Sequence, residues 1–163
     1  MSRVLLFVLL AMAALVQVTW ASRLELYGAF PNLVLIAIVC IAWVRGPRAG
    51  LAWACVGGLL LDLTAPGPLG PHALALVAGA YAVGFWVRNV KLSSLPQAAL
   101  AAAAASAIYS AILVGADDLL GLPVPPFRLV FNLAAAACIY NAVLVTAALM
   151  VLRGFMKPAP ETA

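Results

Sequence analysis

The sequence predicts an all-α integral membrane protein, a single bundle of about six transmembrane helices. The first observation is composition: 67% of the 163 residues are hydrophobic and only 9% are charged, against about 25% charged in a soluble domain. So few charges cannot cover a surface that faces water, whereas apolar side chains that face lipid need no polar cover. The second observation is spacing. Turn and charged residues divide the chain into apolar segments, most of them close to the roughly 20 residues with which a helix crosses a bilayer.

Six apolar segments define the predicted spans. They lie at about residues 4–21, 28–44, 49–61, 70–87, 96–116 and 129–152. The third segment is short, so we expect it either to begin within the turn at residues 45–48 or to tilt among its neighbours. Residues 1–157 then form one membrane domain with no soluble domain beside it. Residues 158–163 are expected to be a disordered cytoplasmic tail.

The first segment also has some features of a cleaved signal peptide. Arg3 precedes an apolar run over residues 4–16, and small residues flank Trp20, which loosely fits the signal-peptide pattern. Cleavage would leave five spans and place the new N-terminus outside. Trp20 is unfavourable beside a cleavage point, and the apolar run is long enough to span, so six spans are expected.

The basic residues predict the orientation. Lys and Arg accumulate in short cytoplasmic loops. With a cytoplasmic N-terminus, seven of the nine basic residues fall inside and only Arg23 and Arg128 fall outside. The main cytoplasmic determinants are Arg45, Arg48, Arg88, Lys91 and Arg153. The pattern predicts a multi-pass protein with both termini in the cytoplasm.

The sequence offers little that could carry catalysis. It has one histidine and three cysteines, and no set of nucleophile, base and orienting group can be assembled from them. It has no P-loop and no dinucleotide fingerprint, and its basic residues form no face for nucleic acid. We therefore expect a protein that is not an enzyme, needs no cofactor or metal, and binds membrane lipids rather than nucleic acid.

Asp62 is the most informative charge, because apolar residues flank it on both sides. A carboxylate near membrane depth is usually paired, interfacial or functional. One reading has Asp62 capping backbone N–H groups of the turn at residues 64–70. The other has it contacting a partner or a polar pocket. His72 follows at the start of the fourth helix, as a solvated or structural histidine.

Small residues recur in the third, fourth and fifth segments, where they let helices approach closely. The pair Gly57-Gly58 and the alanine run at residues 98–105 are the clearest cases. They either pack helices within the bundle or dock a membrane helix of a partner, and the two roles are compatible.

Four short motifs follow one another in a specific order. They are Pro31-Asn32-Leu33-Val34-Leu35, Arg45-Gly46-Pro47, Gly57-Gly58-Leu59-Leu60-Leu61-Asp62-Leu63 and Pro68-Leu69-Gly70-Pro71-His72-Ala73-Leu74. Their order, with the length and the six-span layout, resembles the rod shape-determining protein MreD family. The matched motif positions are Gly57, Gly58, Asp62, Leu69, Gly70 and His72, and they are the candidates for packing or partner contact.

The resemblance implies a non-enzymatic scaffold or regulatory subunit in the bacterial inner membrane that supports peptidoglycan synthesis and cell shape. It implies binding to MreC through its membrane helix and its periplasmic side. It also implies cooperation with the elongation transpeptidase, a RodA-type glycosyltransferase and MreB filaments. The family fold is similar to the S components of energy-coupling-factor transporters, so the alternative is a vitamin-binding transporter subunit. A membrane enzyme for lipid-linked substrates is a weaker third hypothesis.

Overall fold

The computed structural model describes residues 3–20, 28, 30–65, 67–89 and 94–155, and these residues form six α-helices. The helices are α1 (Arg3–Trp20), α2 (Leu33–Arg45), α3 (Pro47–Thr64), α4 (Pro71–Asn89), α5 (Leu95–Leu119) and α6 (Phe127–Phe155). No strand occurs in the described residues, so the all-α prediction is confirmed. The predicted tail at residues 158–163 and the topology determinant Lys91 lie outside them.

Three of the described helices, α1, α5 and α6, are long and apolar enough to cross a membrane. Helix α2 is apolar but has 13 residues, about 20 Å at 1.5 Å per residue, against about 30 Å of hydrocarbon. Helix α3 is longer than the predicted segment at 49–61, because Pro47 already occupies its first turn. The division into six spans stays a prediction.

Local chemistry explains where α2 ends and α3 begins. Gly46 has φ of +91°, and its N–H donates to the carbonyl of Ala42. Glycine adopts this left-handed backbone without a Cβ penalty. Pro47 follows at the first helical position, where its missing N–H costs nothing. The Gly46-Pro47 pair therefore ends one helix and starts the next within one residue.

Helix α2 is the centre of the bundle. It packs against each of the other five helices, and nearly all of its residues from 34 to 42 are buried. Small residues bring the neighbours close: a methyl group added to Gly50 of α3 would lie 2.6 Å from the Ala42 side chain. One added to Gly79 of α4 would lie 3.3 Å from the Ala105 carbonyl oxygen of α5. The small residues of α3, α4 and α5 thus serve packing within the chain.

The two ends of the bundle differ in charge. Gly84 of α4 packs on Pro47 at the start of α3, while His72 at the start of α4 bonds Asp62 near the end of α3, so these helices are antiparallel. Extending the alternation along the chain places Arg3, Arg45, Arg48, Arg88 and Arg153 at the basic end. It places Asp62, Asp117 and Asp118 at the acidic end, together with the one arginine Arg128 among the described residues there. The polar chemistry of the described residues lies toward the acidic end.

Candidate functional site

Asp62 caps the start of α4 from the end of α3. The residue is only 3% exposed. Its Oδ1 accepts the backbone N–H of His72 and its Oδ2 accepts that of Ala73, each at 3.0 Å. These are the second and third residues of α4, whose first N–H groups have no partner within the helix. One of the two sequence-based expectations has Asp62 capping N–H groups within the turn at residues 64–70. The N–H groups that it caps lie just beyond that turn, in the first turn of α4.

The turn between α3 and α4 explains why Asp62 is needed. Gly70 precedes α4 with φ of +116°, a conformation that favours glycine, and it has no side chain with which to cap the helix. The carboxylate of Asp62 supplies that cap and adds a negative charge at the positive end of the helix dipole. Leu69 is 72% exposed and contributes an apolar surface beside the turn.

The two matched glycines of α3 serve packing. A methyl group on Gly57 would lie 2.7 Å from Cγ1 of Val34 in α2. One on Gly58 would collide with the backbone of Ala73 in α4. Because Gly58 lets α3 touch the first turn of α4, it also brings Asp62 within hydrogen-bond distance of that turn.

His72 is held by a residue that the sequence reading did not single out. Its Nδ1 lies 2.7 Å from the hydroxyl oxygen of Tyr109 in α5, and the two rings stack with centroids 6.0 Å apart and planes at 26°. Tyr109 follows Ser106 by three residues, so both lie on one face of α5. That pairing of polar side chains in an alanine-rich helix was the available signal.

A second polar group lies deeper, where α2, α5 and α6 meet. The backbone N–H of Asn32 donates to Oδ1 of Asn141 at 2.9 Å, and Nδ2 of Asn141 donates to Oγ of Ser106 at 3.0 Å. The Ser106 hydroxyl donates to the carbonyl of Ala102 at 2.8 Å. Asn141 and Ser106 are each only 2% exposed. A chain of satisfied polar groups of this kind fixes the register of three helices.

These contacts also explain how a short helix can begin inside the bundle. The first N–H groups of α2 cannot reach water, and an unsatisfied polar group in hydrocarbon costs several kcal/mol. Oδ1 of Asn32 accepts the N–H of Leu35 at 2.9 Å, and Oε1 of Gln17 in α1 accepts the N–H of Val34 at 3.3 Å. The side chain of the residue that precedes α2 and one side chain of α1 therefore cap α2.

A pocket of about 180 Å³ opens at the acidic end, between the α3–α4 turn and α5. Its polar lining comes from Asp62, His72 and Asp117, and its apolar lining includes Pro68 and Leu113. Neither Lys nor Arg occurs among the described residues that line it. The described residues also contain no group of three side chains that could hold a metal ion. The arrangement suits recognition of a polar segment.

The fold and the pocket together define a class: a helical membrane protein that presents a polar recessed surface at one end. The family model of the rod shape-determining protein MreD matches residues 1–158. The chain therefore belongs to the MreD family, and rod shape determination is its role. Searches of curated proteins and of solved structures found no match. The expected likeness to the S components of energy-coupling-factor transporters stays a prediction.

Proposed function

We propose that the chain is a non-enzymatic scaffold of the bacterial cell-elongation complex, and that it binds MreC at the pocket of the acidic end. The observation that carries the proposal is this pocket, which α3, α4 and α5 build from residues distant in sequence. Membership in the MreD family indicates the process in which the chain takes part, which is rod shape determination. MreC would connect the chain to the elongation transpeptidase, the RodA-type glycosyltransferase and MreB, and thereby to peptidoglycan synthesis.

The orientation follows from the charge of the two ends. The five described arginines of the basic end, Arg3, Arg45, Arg48, Arg88 and Arg153, fit the cytoplasmic side of the inner membrane. The acidic end then faces the periplasm, and both termini lie in the cytoplasm. This orientation puts the pocket on the side where the membrane-proximal part of MreC would reach it.

A partner can bind only the side chains that internal packing of the bundle does not already use. The glycines and alanines of α3, α4 and α5 are used in internal packing, so they are poor candidates for docking a foreign helix. The Asp62 carboxylate is also committed, because two backbone N–H groups occupy it. Asp117, His72 and the exposed Leu69 remain as the groups that a partner segment can contact.

A vitamin-binding subunit is the second candidate, because a pocket with convergent polar groups could hold a small molecule. Sites for drug-sized ligands usually enclose about 300–1,000 Å³. The pocket here has about 180 Å³, which favours a protruding side chain or turn over a whole vitamin. Mass spectrometry of the purified protein tests this alternative directly, since a retained vitamin in the absence of MreC would support it.

Site-specific photocrosslinking in native membranes tests the scaffold proposal. A photoreactive residue at position 69 should crosslink MreC, whereas one at Val44, which is 45% exposed at the basic end, should not. Asp117→Lys should abolish the crosslink from position 69, and Asp118→Lys, a change of equal charge on an exposed neighbour, should leave it. Equal crosslinking from both positions, or none in cells with normal MreC, would contradict docking at the pocket.

Affinity purification of the tagged chain in mild detergent provides the broader test. Recovery of MreC and the elongation transpeptidase supports the scaffold. Recovery of ATP-binding-cassette subunits without MreC supports the transporter alternative.

A further inference from the structure

The hydrogen bond that His72 can offer in the pocket depends on a contact that the same ring makes inside the bundle. Its Nδ1 is engaged by the Tyr109 hydroxyl at 2.7 Å. The ring lines the pocket, and Nε2 has no hydrogen-bond partner among the described residues. In a neutral imidazole one nitrogen donates and the other accepts. The direction of the bond to Tyr109 therefore decides what His72 offers to a partner.

One of the two directions leaves the hydroxyl hydrogen of Tyr109 without an acceptor. If Nδ1–H of His72 donated to Tyr109, the tyrosine hydroxyl hydrogen would need an acceptor of its own. Among the described residues, His72 is the acceptor at hydrogen-bond distance from that hydroxyl. Hydroxyl groups inside a protein are usually paired, and the half-buried Tyr109 therefore donates its O–H to Nδ1.

We infer that Tyr109 is a positioning residue that holds His72 in the Nε2–H tautomer, so that it selects a neutral hydrogen-bond acceptor on the partner. The inference rests on the proposed function for the identity of the partner, and it adds the chemistry that the pocket recognises. A backbone carbonyl fits this requirement. A carboxylate does not, because Asp62 and Asp117 lie beside His72 and like charges across an interface are costly.

The first test measures the ring itself. His72 is the only histidine in the chain, so ¹⁵N-histidine labelling of the full chain without a histidine tag gives the signals of one ring. In lipid nanodiscs at pH of about 8.5, well above the ordinary imidazole pKa of about 6.5, NMR should show a protonated Nε2 and an unprotonated Nδ1. A protonated Nδ1 in the wild-type protein would overturn the inference, whether or not any variant folds.

Removing one hydroxyl tests the role of Tyr109. Tyr109→Phe should convert the ring to a mixture of tautomers, and Tyr81→Phe should leave it unchanged, because Tyr81 is 65% exposed on α4. A Tyr109→Phe spectrum identical to that of the wild type would overturn the positioning role.

Binding to MreC tests recognition separately. Tyr109→Phe should weaken capture of MreC in proportion to the lost Nε2–H tautomer, about twofold for an equal mixture, while Tyr81→Phe captures MreC normally. Undiminished capture by Tyr109→Phe would overturn the recognition of an acceptor. Failure of the wild-type chain to capture MreC would instead refute the scaffold proposal, and the ring spectrum would be unaffected because it is recorded without a partner.

Discussion

The contact of Asp62 with α4 predicts a specific cost for removing its carboxylate. Asp62→Ala deletes the acceptor for two backbone N–H groups, each at 3.0 Å. Net contributions of hydrogen bonds to charged groups are about 1.5–3 kcal/mol each. Because His72 and Ala73 are only half-buried, water at the acidic end would replace part of the loss. We therefore expect a decrease of about 2–4 kcal/mol in the free energy of unfolding.

Asp62→Asn separates the hydrogen bonds from the charge. The amide keeps one acceptor oxygen but turns an NH₂ group toward the other N–H, and it loses the favourable interaction with the helix dipole, worth about 0.3–1 kcal/mol. The expected decrease is about 1–2 kcal/mol, between the wild type and Asp62→Ala. Asp118→Ala is the matched control, since Asp118 is exposed, and surface changes usually stay within about 0.5 kcal/mol.

Equilibrium unfolding of the purified chain in mixed micelles of increasing SDS fraction measures these differences. The four tryptophans of the chain provide a fluorescence signal. The predicted order of stability is wild type, then Asp62→Asn, then Asp62→Ala. If Asp62→Ala unfolds at the same SDS fraction as Asp118→Ala, the carboxylate does not stabilise α4, and the capping argument is refuted.

Two further substitutions test the packing and the buried polar group by the same assay. Gly58→Ala should cost about 1–3 kcal/mol, as overpacking does, because its methyl group meets the backbone of α4. The control is Gly115→Ala on α5, whose methyl group meets nothing within 4 Å, and it should be neutral or stabilising by up to about 1 kcal/mol. Equal effects of Gly58→Ala and Gly115→Ala would contradict the close approach of α3 to α4. Asn141→Leu leaves buried partners unpaired and should cost about 1–3 kcal/mol. Asn132→Leu on the exposed face of α6 is its control, and a comparable loss there would count against the buried network.

The fold class could be predicted because it depends on composition and segment length, which are properties of the sequence itself. Helix ends could not be predicted as well, because they depend on tertiary partners. Helix α2 illustrates this: hydropathy extends the segment back to residue 28, but the helix begins at Leu33. Asn141, more than a hundred residues away, accepts the N–H of Asn32 and stabilises the chain where it enters the helix.

The candidate site could be predicted only in part, because some of its residues stand out in the local sequence and others depend on distant contacts. A lone carboxylate between leucines is conspicuous, so Asp62 was recognised and its capping role was among the alternatives. Tyr109 was not, because a single tyrosine in an apolar helix usually faces lipid or fills a core. What distinguishes it is the hydrogen bond to His72 across 37 residues, and no local pattern encodes that separation.

The polar contacts of the acidic end connect the pocket to the rest of the bundle. Asp62 joins α3 to α4, His72 joins α4 to α5, and Asn141 joins α6 to both α5 and the central helix α2. Polar groups cost free energy within a membrane. Because these side chains lie together, each provides a hydrogen-bond partner for another. A consequence is that most large changes at the pocket also loosen helix packing. Loss of cell shape in such a variant therefore cannot by itself identify a docking residue. Substitutions that remove one atom or reverse one half-buried charge that caps no helix, such as Tyr109→Phe and Asp117→Lys, separate docking from folding.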